Sequence, residues 1–229
     1  MTVIIVQHVA VEGPGRIGGA LDRAGQSWRT VHVYDGQPVP VGPSGLDGLV
    51  VMGGPMGVHD TDRFPHLVDE QNLIADCLDA GIPVLGVCLG SQLLAATLGS
   101  VVGPGPALEL GWHEVWLTPE GGADPALGQL SETFTPLHWH GDRFTLPAGA
   151  AHLARSGQTE VQAFRLGDSA YGLLFHLEVD QDQVRAMSAA FPADLAQAGI
   201  RAAQLVDPPT QTPTTAADQV FDAWASLTQ

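Results

Sequence analysis

The sequence predicts an α/β fold: an open, mixed but mostly parallel sheet with helices on both faces. Two observations carry this expectation. Short apolar runs of strand length, at residues 3–6, 46–52 and 82–87, alternate with segments whose apolar residues recur at helical spacing. Beyond residue 100 the pattern changes to shorter alternating runs separated by turn signals, which adds strands antiparallel to the first set. At 229 residues the chain is long enough to bury a sizeable core as one domain, residues 1–229.

Val3 to Val6 reads as a buried first strand. The following Gly13-Pro14-Gly15-Arg16-Ile17-Gly18 spells the glycine pattern of dinucleotide sites, and Asp35 stands near the end of the next strand, residues 30–34. That pattern requires its first glycine almost directly after the strand, whereas here several residues, Glu12 among them, intervene. The loop is therefore read as opening a helix over 16–24 that stops at Gly25, and no cofactor is expected. After a proline-rich connection at 38–43 comes the third strand, 46–52, which empties into Gly53-Gly54-Pro55-Met56-Gly57. The charged residues of that loop, Asp60, Asp62 and Arg63, are read as solvated. A helix over 67–80 places Leu73, Ile74, Cys77 and Leu78 on one face, so Cys77 is a core residue.

The stretch Val84-Leu85-Gly86-Val87-Cys88-Leu89-Gly90-Ser91-Gln92 changes character midway. Strand-like residues precede Cys88, and apolar residues at helical spacing (Leu89, Leu93, Ala96) follow it. A cysteine at an abrupt strand-to-helix turn, between small residues, has the setting of a nucleophile elbow, with a helix N-terminus beneath the sulfur. Two further segments give that cysteine partners. Phe175-His176-Leu177-Glu178 supplies a base and a carboxylate to orient it, and the glycines at 53–57 leave amides free to bind an oxyanion.

Past Gly99, residues 101–106 read as a glycine and proline connection leading to a strand over 109–117. His138-Trp139-His140-Gly141-Asp142 has a metal-ligand spacing, because alternate strand residues share a face. Arg143 and Phe144 follow where further ligands would be needed, so no metal is expected. Short strands are placed at 152–154, 160–166 and 171–175, the last delivering His176. Asp180 with Gln183 is the pattern of a capping box. Residues 206–214 read as a linker to a C-terminal helix that packs on the domain through Val220, Phe221, Trp224 and Leu227.

The balance of 9 Lys+Arg against 25 Asp+Glu gives a net charge of -16, and all nine cations are arginine. Phosphate-rich partners need clustered cations, so neither nucleic acid nor an anionic membrane surface is an expected partner. Two cysteines suit a reducing, cytoplasmic setting, and Gln7 and His8 cut short the one N-terminal apolar run that could suggest a leader.

The ordered set Gly-Gly-Pro (53–55), Gly-Val-Cys-Leu-Gly-Ser-Gln (86–92), Trp-His-Gly-Asp (139–142) and Phe-His-x-Glu-Val (175–179) resembles the class I, or triad, glutamine amidotransferases, in particular stand-alone members similar to the glutaminase domain of GMP synthase. Leu177 stands where many members carry proline. The resemblance covers the chain to about Val179. It implies a flavodoxin-like or Rossmann-like fold and hydrolysis of the L-glutamine side-chain amide by Cys88, His176 and Glu178. It further implies an oxyanion hole from the amides of Gly54 and Leu89, and substrate contacts from Gln92, Glu109 and the loop His140, Gly141, Asp142. Ammonia would pass to an acceptor or a synthetase partner in trans. Two alternatives share the sequence: a γ-glutamyl peptidase or hydrolase using the same triad on a γ-glutamyl compound, and a binding or regulatory protein without turnover.

Overall fold

The computed structural model describes residues 2–209 and 214–228. Eleven strands and eight helices are present among them. In chain order they are β1 (Thr2–Gln7), α1 (Gly15–Arg23), β2 (Trp28–His32), β3 (Leu46–Val51), α2 (His66–Asp79), β4 (Val84–Val87), α3 (Leu89–Thr97), β5 (Val102–Trp112), β6 (Val115–Leu117), α4 (Pro119–Gly122), β7 (Thr133–Phe134), β8 (Leu137–Phe144), β9 (Ala151–Ser156), β10 (Ala163–Leu166), β11 (Ala170–Leu173), α5 (Gln181–Ala190), α6 (Pro192–Ala198), α7 (Ala203–Val206) and α8 (Thr214–Ala225).

Nine strands form one sheet in the order β2-β1-β3-β4-β11-β10-β9-β6-β7. β2, β1, β3, β4 and β11 run parallel, and the remaining four continue the sheet antiparallel. This is the mixed, mostly parallel sheet the sequence predicts. Helices cover both faces, with separate apolar clusters on each side: Ile17, Leu21, Met52, Phe221 and Trp224 on one, Leu67, Leu73, Ile74, Leu89 and Leu93 on the other. Fully apolar runs such as Val84–Val87 follow from that arrangement, since a central parallel strand meets helices above and below.

Several expectations need correction, among them the strand over 109–117, which is divided between β5 and β6 in different sheets. Residues 101–106 are not a connection: Val102–Trp112 is one strand, paired with β8 in a separate two-stranded ribbon. Pro104 and Pro106 are tolerated because the ladder is interrupted between Pro104 and Glu109. His140, Gly141 and Asp142, implied to form a loop, lie within β8 for the same reason, as the partner arm of that ribbon. The strand placed at 160–166 begins only at Ala163, because Ser156, Thr159 and Gln162 turn inward onto Glu109.

The C-terminal helix α8 lies against α1. Arg16 reaches Asp218 at 3.2 Å, Arg23 reaches Asp222 at 2.7 Å, and Val220, Phe221 and Trp224 are buried beneath. Leu227, assigned to the same stripe, is 39% exposed because the helix tightens into a 3-10 turn at Ser226–Thr228. Of the 206–214 segment, residues 210–213 lie outside the described residues. The capping box is present: Asp180 accepts from the Gln183 amide and Gln183 returns to the Asp180 amide.

The junction of β4 and α3 explains its own glycines. Cys88 has φ 51°, the one positive value among described non-glycine residues. A turn this abrupt brings backbone against backbone. A Cβ on Gly86 would lie 2.6 Å from the Ser91 nitrogen, and one on Gly90 would lie 2.6 Å from the Val51 carbonyl carbon. We expect Gly90→Ala to cost about 3 kcal/mol or more, since the obstacle is a neighbouring strand's backbone. Gly25→Ala, at φ +70° with nothing within 4 Å, should cost about 1 kcal/mol. Urea unfolding of the two variants checks the order.

Candidate active site

The site assembles where parallel strands end. β4 and β11 are neighbours, with Val87 opposite Leu173, and the Cys88 amide donates to the Leu173 carbonyl at 2.8 Å. The chain leaving β11 therefore passes beside the elbow, and three residues later it carries His176. Two outside elements fix that segment. The His176 amide donates to the Leu137 carbonyl of β8 at 2.8 Å, and the Arg16 amide, in the first turn of α1, donates to the Glu178 carbonyl at 2.9 Å. The second contact gives the Gly13–Gly18 pattern its use. Gly15 has φ +45°, and a Cβ there would strike the Glu178 carbonyl, so the glycine lets α1 close on the segment from His176 to Glu178.

His176 Nδ1 and Glu178 Oε1 are 2.6 Å apart, and both side chains are buried. Nε2 of His176 has no partner at hydrogen-bond geometry. The Cys88 thiol is turned toward the Trp139 carbonyl at 3.6 Å, yet it stands near enough to act on the imidazole. Burial, the largest influence on His176, disfavours its charged form; Glu178 and the Cys88 sulfur outweigh it and raise the imidazole well above its ordinary value. In enzymes without substrate, hydrogen bonds between a nucleophile and its base are often long and tighten in the complex.

Cys88 is 5% exposed and faces a cavity of about 340 Å³. Gln92, His140, Gly141 and Asp142 line it, as does Gly54. Glu109 does not: its carboxylate accepts from Ser156, Thr159 and Gln162, and lies 3.4 Å from His140 Nε2, so it reaches the cavity only through His140. Burial holds His140 down to about 4 against the pull of Glu109, and pushes His138 well below its ordinary value too. Ligand atoms of Glu109, His138 and His140 lie within 4.8 Å of one another, and the carboxylate already accepts from three protein donors. Leu89 opens α3, and a Cβ on Gly54 would lie 3.2 Å from Leu89 Cδ2, so the two residues are neighbours beside Cys88. Cys77 is a core residue as expected, and burial pushes its thiol up to about 12.

Several groups here are not singled out by the sequence: Glu12, Trp139 through its carbonyl, Asp194 and His8. Glu12 and His8 follow β1, whose C-terminal end lies on the same edge of the sheet as that of β4. Loops leaving the carboxyl ends of parallel strands gather at one crevice, and that rule is the available signal.

Residues 28–188 match the sequence model of the family described as Glutamine amidotransferase class-I. The glutamine amidotransferase-like protein YfeJ of Salmonella typhimurium is 31% identical over 201 residues, covering 86% of this chain and 84% of that one. A glutamine-hydrolyzing component of the GMP synthase of Natronomonas pharaonis is 37% identical over 58% of this chain and 66% of its own. A crystal structure of a glutamine amidotransferase from Thermotoga maritima superposes with TM-score 0.89 at 26% identity, over 100% of this chain and 98% of that one. One from Methylobacillus flagellatus gives 0.86 at 30% identity, over 100% of this chain and 95% of that one. The chain belongs to the class I glutamine amidotransferase family, enzymes that hydrolyse the side-chain amide of glutamine. No helix among the described residues is long and apolar enough to cross a membrane.

The loop after β3 is held from below by a buried network. His8 Nδ1 pairs with the Gly53 carbonyl at 3.0 Å and His8 Nε2 with Glu70 at 2.8 Å, while the other Glu70 oxygen pairs with His66 at 2.8 Å. Burial opposes both charges; Glu70 nevertheless raises His8, and the two histidines lower Glu70. A depressed carboxylate contributes stability above about 4.5, lost as pH falls through its native value; a raised histidine contributes below about 6.5, lost as pH rises through its native value. The stability gap between the wild type and Glu70→Gln should therefore be widest between about pH 4.5 and 6.5 and narrow on both sides, as read by urea unfolding across pH 4–8.

Proposed function

We propose that Cys88, His176 and Glu178 act as nucleophile, base and orienting carboxylate in hydrolysis of the L-glutamine side-chain amide. The observation that carries this is the imidazole itself, buried with Glu178 on one nitrogen, the other nitrogen unpartnered, and the Cys88 sulfur acting on it. His176 takes the thiol proton as sulfur bonds to the amide carbon. The tetrahedral oxyanion is held by the amides of Gly54 and Leu89, a contribution typically of about 3–4 kcal/mol per donor. As the C–N bond breaks, His176 returns the proton to the departing ammonia. Water, activated by the same imidazole, then cleaves the γ-glutamyl thioester to glutamate and restores the thiol.

Gln92 and the strand residues His140, Gly141 and Asp142 would hold the glutamyl end, as groups that line the cavity together with Cys88. Glu109 would act indirectly, by fixing His140. Relatives named GMP synthase support a synthetase acceptor in trans; the chain matches 23% of the length of the GMP synthase of Thermomicrobium roseum. The two unpaired cysteines suit a reducing, cytoplasmic compartment.

A glutamine-derived chloroketone should alkylate Cys88, with protection by added glutamine, as mapped by mass spectrometry. Cys88→Ala should lose about 10⁴-fold or more of the glutaminase rate, and Glu178→Gln about 10²–10⁴-fold. Full activity in Cys88→Ala would exclude the triad.

A further inference from the structure

The cavity in front of Cys88 is electrostatically one-sided. Glu12, Asp142 and Asp194 line it, and no arginine does, in a chain without lysine. The one basic ring there, His140, is held down to about 4 by burial and is neutral at pH 7. Glu12 is 6% exposed, and its carboxylate has no hydrogen-bond partner among the described residues. Asp194 accepts from Trp139 Nε1 through Oδ2 at 2.9 Å, which leaves Oδ1 for the cavity. Burial pushes the Glu12 carboxyl above its ordinary value, and a cation entering beside it and Asp194 would favour the charged form.

The location of Glu12 tells which part of a substrate that cation belongs to. In amide hydrolysis the imidazole must reach the departing nitrogen, so the leaving group lies against His176 while the glutamyl end extends away from it. Glu12 is on the imidazole side. Its Oε2 and His176 Cε1 both close over Gly53: a Cβ there would stand 3.3 Å from Cε1 and would overlap Oε2. The charged groups that act most strongly on Glu12 are His176, Glu178, His8 and Asp194.

We propose that Glu12, together with Asp194, forms a leaving-group subsite for an ammonium, so that the substrates served best are γ-glutamyl amides of diamines. This rests on the triad reading above and names the substrate class of the same site. Cys88 sulfur bonds to the γ-carboxamide carbon, the C–N bond breaks, and His176 gives its proton to the released amine. The distal ammonium of that amine pairs with Glu12 and Asp194 throughout. Water then hydrolyses the thioester to glutamate. A leaving group bearing a carboxylate meets repulsion at the same place, and a neutral alkyl amine leaves both acids unpaired.

The test compares kcat/KM of the full chain at pH 7 for γ-glutamyl-1,4-diaminobutane, γ-glutamylbutylamine, γ-glutamyl-4-aminobutyrate and L-glutamine. The diamine conjugate should exceed the butylamine conjugate by at least about tenfold, with the aminobutyrate conjugate poorest. Glu12→Gln, close in size and shape, should shrink the diamine-to-butylamine ratio to about threefold or less. Equal rates on the diamine and butylamine conjugates with the unaltered chain would overturn the proposal without reference to any variant. So would a uniform loss across all four substrates in Glu12→Gln, which would instead place the glutamyl α-ammonium on Glu12. Turnover of glutamine alone, or of none of the four, also overturns it. In the last case chloroketone alkylation of Cys88 separates the two readings: retained labelling leaves the triad standing, and absent labelling removes it as well.

Discussion

The parallel pairing of β4 with β11 is the constraint on which the site depends. Because both strands run the same way, the turn after Val87 and the segment after Leu173 emerge side by side at one edge of the sheet. The hydrogen bond from the Cys88 amide to the Leu173 carbonyl extends that pairing by one residue past β4 and so sets how far His176 stands from the sulfur. A shift of one residue in this register would exchange the faces of β11 and carry the imidazole away from the cavity. All four residues from Val84 to Val87 are buried, their side chains alternating between the two helix-covered faces.

Around that edge the molecule holds several groups in costly states. Cys88 has a backbone conformation that side chains rarely adopt, His176 Nε2 and Glu178 Oε2 are buried without partners, and Glu12 is a desolvated acid. Each would relax if the surroundings allowed it. They do not, because the apolar clusters on both faces of the sheet, and the contacts from Leu137 and Arg16, over-determine the positions. The His8, Glu70 and Gly53 network does the same for the loop that carries Gly54. Polar groups that are unsatisfied in the resting protein are the ones a substrate can satisfy, and here they gather around His176.

What can be read in the sequence follows the range of the physics involved. The alternation of strands and helices and the elbow at Cys88 are local, and Gly86 and Gly90 announce the elbow because they sit two residues on either side of it. Cys77 is readable as core from its helical face. Pairing across the chain is not. Nothing within residues 101–106 indicates that Pro104 and Pro106 belong to a strand, because what makes them one is β8, about forty residues on. Glu109 looks available to a substrate because Ser156, Thr159 and Gln162, its donors, are remote in sequence. Glu12 reads as a residue spoiling a glycine pattern, and only the folded sheet brings it beside His176.

The contact between α1 and α8 has a reach beyond the surface it covers. Arg16 donates its amide to the Glu178 carbonyl and its guanidinium to Asp218, so one residue touches both the segment bearing His176 and Glu178 and the helix α8. Between the tail of the polypeptide and the orientation of the imidazole there are then only two links. Losing or displacing α8 would loosen the anchoring of the His176 to Glu178 segment as well as expose hydrocarbon, which makes this helix a mechanical support of the candidate site.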